Sequence, residues 1–253
     1  PIESRLGERA PADTVLDIFV SGLARDPEEL CRIVDRSFNG FSNTHNKNEL
    51  VDIYKVLLDR GYLVRNGLSV IASSVGKAVA VSGLSFSGAE YILRRSSLKD
   101  GDDSSRILYQ ILACPEGKEV YLSLSPINRM WPGSGNMSEA KQLIHDLAGL
   151  QRELTPDEKN RLQLVSLMEE WMSGVSVLEI EQSYGLHPGF LENTGYRVGW
   201  LLSSAAAVIR AFDRFSSLPE KIDNLAFSAR TGLPDELREL YRICGGLVFR
   251  SEY

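Results

Sequence analysis

The sequence predicts a mainly α-helical chain in two parts: a module of three helices closed by a β-hairpin, then a longer bundle of helices. Three observations carry this. Apolar residues recur at helical spacing through most of the 253 residues. One Asn-Gly pair, Asn66-Gly67, joins two short apolar runs, the strongest short-range hairpin signal. Beyond that hairpin, strand signals are weak.

The elements follow in order. Pro11 to Leu23 reads as a helix with Val15, Ile18, Phe19 and Val20 inward. Asp26-Pro27-Glu28-Glu29 opens a second, with Asp26 as N-cap and Pro27 in the first turn. It carries Leu30, Ile33, Val34 and Phe38, and Asn39 to Asn46 is a polar connector. A third helix spans about Lys47 to Arg60, and Gly61 stops it. The runs Tyr62–Arg65 and Leu68–Ile71 then form the hairpin around Asn66-Gly67. Three helices followed by a hairpin make a winged helix, the hairpin being the wing. Ser73 caps one more helix, and Ser87 to Arg95 is helical.

Lys99 to Asp103 is a solvated loop and a module boundary. Ser104 to Cys114 is helical, and Val120-Tyr121-Leu122 continues a helix despite its strand propensity. Pro126 to Asn136 is a loop containing Trp131, and Ser138 to Glu153 is a helix. Thr155, with Glu158 at the third position, opens a helix that runs to Gly174. A short helix runs from Ser176 to Gly185, a long one from about Pro188 to Phe212, and a last one from Pro234 to Tyr241. Arg242 to Tyr253 reads as a frayed end. The expected domains are residues 1–98, 99–233 and 234–253.

Composition bounds the function. A hydrophobic content of 43% suffices for a core, and 25% charged residues is ordinary. The net charge of −6 runs against a stand-alone DNA-binding domain, although phosphate contact needs only a local basic path. Cys31, Cys114 and Cys244 form no C-x-x-C pair, so neither zinc nor a disulfide framework is implied. Isolated thiols fit a reducing cytoplasm, nucleoid-associated in a prokaryote, and all three read as small buried hydrophobes. No apolar run is long enough to cross a membrane. The start, Pro1-Ile2-Glu3-Ser4-Arg5, has no initiator Met, and we expect an excised piece of a longer protein.

No phosphate-binding loop G-x-x-x-x-G-K-[S/T], Asp-Glu box, nucleophile elbow or H-E-x-x-H occurs. The chain is therefore expected to hold no cofactor and to hydrolyse no ATP by itself. His45, His145 and His187 share no ligand spacing. Arg94, Arg95 and Lys99 read as a solvated basic face. The third helix carries Glu49, Asp52 and Asp59 beside Lys47 and Lys55, too acidic for a major-groove reader.

The long helix has two faces. Leu191, Val198, Leu202, Ala205, Ile209 and Phe212 make a core stripe. Asn193, Arg197, Trp200, Ser204, Ala207, Ala211 and Arg214 make a polar or small-residue face with one tryptophan. An aromatic ring stacks on any base, and an adjacent Arg holds phosphate. Two readings of Trp200 stay open: stacking on a single strand, or packing against the winged helix or a motor outside this chain. Trp171, at an apolar position, reads as core.

The blocks Ser74-Val75-Gly76-Lys77, Ser105 to Glu116, Met168 to Met172, Ile180 to Gly189 and Gly199-Trp200-Leu201-Leu202 resemble the C-terminal half of Ski-like superfamily-two helicases, most of all the HelQ-type DNA repair helicases. The resemblance implies a winged helix packed on a motor domain, then a helical domain whose ratchet helix contacts the translocating single strand through an Arg and a Trp two turns apart. Trp200 matches that Trp. Asn193 stands at the Arg position, and Arg197 on the same face is the available substitute. The resemblance also implies ATP and Mg in motor domains absent from this chain, single-stranded or tailed DNA as partner, a monomer, and a C-terminal approach to a helix-hairpin-helix. An RNA helicase region and a winged-helix regulator or protein-interaction module are the alternatives.

Overall fold

Local caps and helical periodicity set most element boundaries, and long-range contacts set the rest. The computed structural model describes residues 10–37, 47–120, 143, 146, 154–187 and 189–245. The chain is mainly helical, with one two-stranded sheet among the described residues. Its contacts divide it into two units, Pro1–Ala89 and Glu90–Tyr253.

In the first unit, α1 (Pro11–Val20), α2 (Pro27–Arg36) and α3 (Lys47–Asp59) precede the strands β1 (Leu63–Asn66) and β2 (Ser69–Ala72). Asp26 caps α2 by accepting from the Glu29 N–H at 2.8 Å. Ser73 caps α4 (Ser74–Ser82) by accepting from the Gly76 N–H at 3.1 Å, and its hydroxyl donates to the Gly61 carbonyl at 2.7 Å. That second bond ties the start of α4 to the end of α3. Asp13 accepts from the Phe86 N–H at the start of α5 (Phe86–Glu90), which runs on as a wider π turn, Tyr91–Arg95. Val15, Leu16, Leu30, Leu57 and Tyr62 form the buried centre. The hairpin lies where expected, but its turn is one residue further on. Asn66 pairs with Ser69, so Gly67 and Leu68 are the loop residues. Only Gly67 takes positive φ, at 62°, as in a turn with glycine first.

In the second unit, α6 (Ser104–Ile111) stops three residues earlier than expected. Cys114 instead caps the short α7 (Pro115–Lys118), its sulfur accepting from the Gly117 N–H at 3.4 Å. α8 (Pro156–Met172) begins with the expected capping box between Thr155 and Glu158. α9 (Val177–Tyr184) ends at Gly185. α10 (Phe190–Phe212) is the long helix; of its apolar stripe Leu191, Val198, Leu202, Ala205 and Ile209 are buried, while Phe212 at its end is half-buried. The chain then turns through Asp213, φ 53°, into α11 (Leu218–Thr231). A 3₁₀ turn, Asp235–Leu237, leads into α12 (Arg238–Ile243).

Three further expectations need correction. The sequence reading has no helix at Leu218–Thr231, yet α11 makes the most extensive contact with α10. Its N-terminus carries no side-chain cap of its own. The cap comes from Asp100, whose carboxylate accepts from the N–H groups of Ser217 at 3.0 Å and Leu218 at 2.9 Å. The loop Lys99–Asp103 is thus held to α11, and the Asp102 carbonyl also accepts from Lys221. Helix continues to Ile243 where a frayed end was expected. Of the cysteines only Cys114 is buried; Cys31 is half-buried and Cys244 exposed. Phe38, the connector 39–46, the 126–136 loop with Trp131, Pro188 and residues 246–253 lie outside the described residues, as does most of the expected 138–153 helix.

Candidate nucleic-acid interface

In the first unit the described surface of α3 is acidic. Glu49, Asp52 and Asp59 are exposed on α3, and its Lys55 pairs with Asp52 at 2.9 Å. A groove of about 440 Å³ beside α3 is lined by Asn48, Glu49 and Asp52 together with Ile53, Val56 and Phe86. Anions are repelled by such a rim.

The exposed side of α10 differs. Asn193, Tyr196, Arg197 and Trp200 all reach solvent, Tyr196 with 66% and Trp200 with 36% of its surface open. At 3.6 residues per turn, Tyr196 and Trp200 sit on successive turns of one face. Neither side chain has a hydrogen-bond or ring partner among the described residues.

What shapes this face is the close approach of α11 behind it. A Cβ on Gly195 would lie 2.4 Å from the Ala229 carbonyl oxygen and 2.9 Å from Trp171 Nε1. A Cβ on Gly199 would lie 2.3 Å from Arg230 Cγ. Two glycines one turn apart therefore let the helices meet at their backbones. Trp171 fills one side of the junction: it is 3% exposed, and its Nε1 donates to the Ala229 carbonyl at 2.8 Å. Arg230 crosses the other side over Gly199. Its guanidinium donates to the Ser203 hydroxyl at 2.8 Å and the Gly199 carbonyl at 3.3 Å.

The predicted site residues separate on this scaffold. Asn193, Arg197 and Trp200 share the exposed face of α10. Arg197 donates to the Glu119 carbonyl at 3.0 Å, which fixes its position without neutralising it. Ser204 is only 5% exposed and lies in the packed interior. Arg214 is off the helix, since α10 ends at Phe212 and Asp213 is left-handed; its guanidinium lies over the Phe215 ring. Arg94 pairs with Glu90 at 2.9 Å and lies over the Phe212 ring. Tyr196 and Arg230 join this exposed face without being expected there. Tyr196 was legible as the aromatic four residues before Trp200. Arg230 was not, because α11 went unrecognised.

A buried thiol and a half-buried phenol belong to the scaffold. Burial pushes the Cys114 thiol up to about 12, which leaves it a neutral cap. The Tyr184 hydroxyl donates to Glu170 at 2.9 Å, and burial holds that phenol protonated. Among the described residues there is no cluster of three or more His, Cys, Asp or Glu that could hold a metal ion, and no helix long and apolar enough to cross a membrane.

A mainly helical chain with an aromatic and cationic helix face is the class that fold and site define. No family model matches it. Along its length it is similar to two proteins each named ATP-dependent DNA helicase Hel308. One, from Thermoplasma volcanium, is 24% identical over 250 residues, covering 96% of this chain and 33% of that protein. The other, from Caldivirga maquilingensis, is 20% identical over 239 residues, covering 89% of this chain and 32% of that protein. The chain thus spans about a third of the length of these relatives.

Proposed function

We propose that this chain is the accessory C-terminal region of an ATP-dependent DNA helicase, guiding a translocating single strand beside a motor that lies outside it. One observation carries this reading: Trp200 reaches solvent at the middle of the long helix, with Arg197 and Asn193 on the same face. The likeness to DNA helicases over most of the chain supports it.

In this reading α1–α3 with the hairpin form a winged helix whose mixed charge suits packing on a motor domain instead of reading a duplex. Within the second unit, residues 99–233 are the ratchet domain and α10 the ratchet helix. Residues 1–98, 99–233 and 234–253 are the functional segments, and the protein acts as a monomer. ATP and Mg serve the motor, which lies outside this chain.

The work of the chain is then stacking and electrostatics. The Trp200 ring offers a face that any base can use, contributing roughly 1–3 kcal/mol per base. Arg197, with no carboxylate partner among the described residues, attracts phosphate. The test is binding of a labelled oligo-dT by the 253-residue chain and its Trp200→Ala variant. We expect affinity to fall about 5- to 100-fold with the melting transition retained. Unchanged affinity with a lost transition would make Trp200 core and sink the reading. Tighter binding of oligo-U would transfer it to RNA, and sequence-specific duplex binding would replace it with a winged-helix regulator.

A further inference from the structure

Resting on that reading of α10, we propose that the strand is held by a composite site from two helices: Tyr196 stacks a second base beside the one on Trp200, and Arg230, delivered by α11, neutralises a phosphate.

Tyr196 is the more exposed of the two aromatics, at 66%, although it lies well inside a 23-residue helix. A tyrosine placed for stability buries its ring and pairs its hydroxyl. This one does neither among the described residues. Four residues separate it from Trp200, about 6 Å along the helix axis. Continuously stacked bases are about 3.4 Å apart. Successive bases can therefore meet both rings only when unstacked from each other. A single strand meets that condition and a duplex does not.

The cations flanking the rings point to the same occupant. Arg197 is held by the Glu119 carbonyl, and Arg230 by the Gly199 carbonyl and the Ser203 hydroxyl. All these acceptors are uncharged, and neither guanidinium has a carboxylate partner among the described residues. Arg210, on the same helix pair, differs: it is neutralised by Asp223. Glu192, the carboxylate in the first turn of α10, lies beyond Tyr196 from Trp200. Arg197 follows Tyr196 directly and Arg230 reaches Gly199 and Ser203 on either side of Trp200 in sequence, so two oriented guanidiniums accompany the rings and complement a phosphodiester strand. Gly199 is what lets Arg230 reach this face, because a Cβ there would displace its stem.

The experiment measures labelled oligo-dT binding by the 253-residue chain across a salt series, with circular dichroism melting of each variant. Tyr196→Ala and Tyr196→Leu should each weaken binding about 5- to 50-fold, while Tyr196→Phe, which keeps the ring, should bind like wild type. Arg230→Gln should lower the slope of log affinity against log salt by about 0.7, and Arg230→Lys should restore it. A purely structural Arg230 would leave that slope unchanged. Wild-type affinity in Tyr196→Ala with a wild-type slope in Arg230→Gln, alongside weakened Trp200→Ala, overturns the composite site and leaves the reading of α10 standing. No oligo-dT binding by the wild-type chain, or no loss in Trp200→Ala, overturns both.

Discussion

Trp171 and Trp200 belong to the same helical unit and to opposite kinds of environment. Trp171 is sealed between α8, α10 and α11, its Nε1 bonded to Ala229. Trp200 leaves α10 with a third of its surface open and no hydrogen-bond partner among the described residues. The glycines divide in the same way: Gly195 faces Trp171, and Gly199 faces the stem of Arg230. One side of the α10–α11 pair is therefore sealed by a buried tryptophan. The other presents the rings of Tyr196 and Trp200 and the Arg230 guanidinium to solvent.

The comparison can be broken at several points. The largest effect is expected from Trp171→Ala, which removes a buried ring and orphans the Ala229 carbonyl; it should cost about 3–5 kcal/mol in chemical denaturation. Trp200→Ala should cost far less in the same assay. Next comes Gly195→Ala, which forces a methyl against the Ala229 carbonyl and should cost about 1–3 kcal/mol. Stability near wild type there would mean that the two helices can separate freely. Gly199→Ala should act on the other side, weakening oligo-dT binding by displacing Arg230 more than it lowers the melting temperature.

A smaller effect tests the cap that holds α11. The N–H groups of Ser217 and Leu218 donate to Asp100 and hold its carboxyl below the usual carboxylate range. A depressed folded pKa gives stability that is present above the unfolded carboxylate pKa and lost as pH falls through the folded value. Melting temperatures taken downward from pH 7 should fall less on acidification in Asp100→Asn than in wild type; parallel curves would remove Asp100 as the cap. The smallest effect is expected on the acidic side of the molecule. Lys55→Ala breaks an exposed pair with Asp52, and should change stability by at most about 0.5 kcal/mol and oligo-dT affinity not at all.

How much of this was legible depends on the distance over which each cause acts. Asp26, Ser73 and Thr155 cap helices whose N–H groups lie three residues away, so a few residues of sequence suffice. The stripe Leu191 to Ile209 follows from helical spacing alone. Ser204 shows the limit. It shares the polar face in a helical projection, yet tertiary packing buries it. Arg214 fails for a local reason, a left-handed Asp213 that breaks the face before it. The hairpin was legible, but its exact turn was not, because strand pairing placed Gly67 first in the loop.

By itself, then, the sequence determined a mainly helical chain, its local caps, its one hairpin and the apolar side of its long helix. Those features rest on spacing and on bonds within one helical turn. Only the tertiary structure decided that α11 packs on α10, that Asp100 caps it from 117 residues away, that Ser204 is covered, and that Arg230 comes to lie beside Trp200. These depend on which backbones approach each other. Gly195 and Gly199 allow that approach but do not name the partner, so the second helix of the interface appears only in the folded chain.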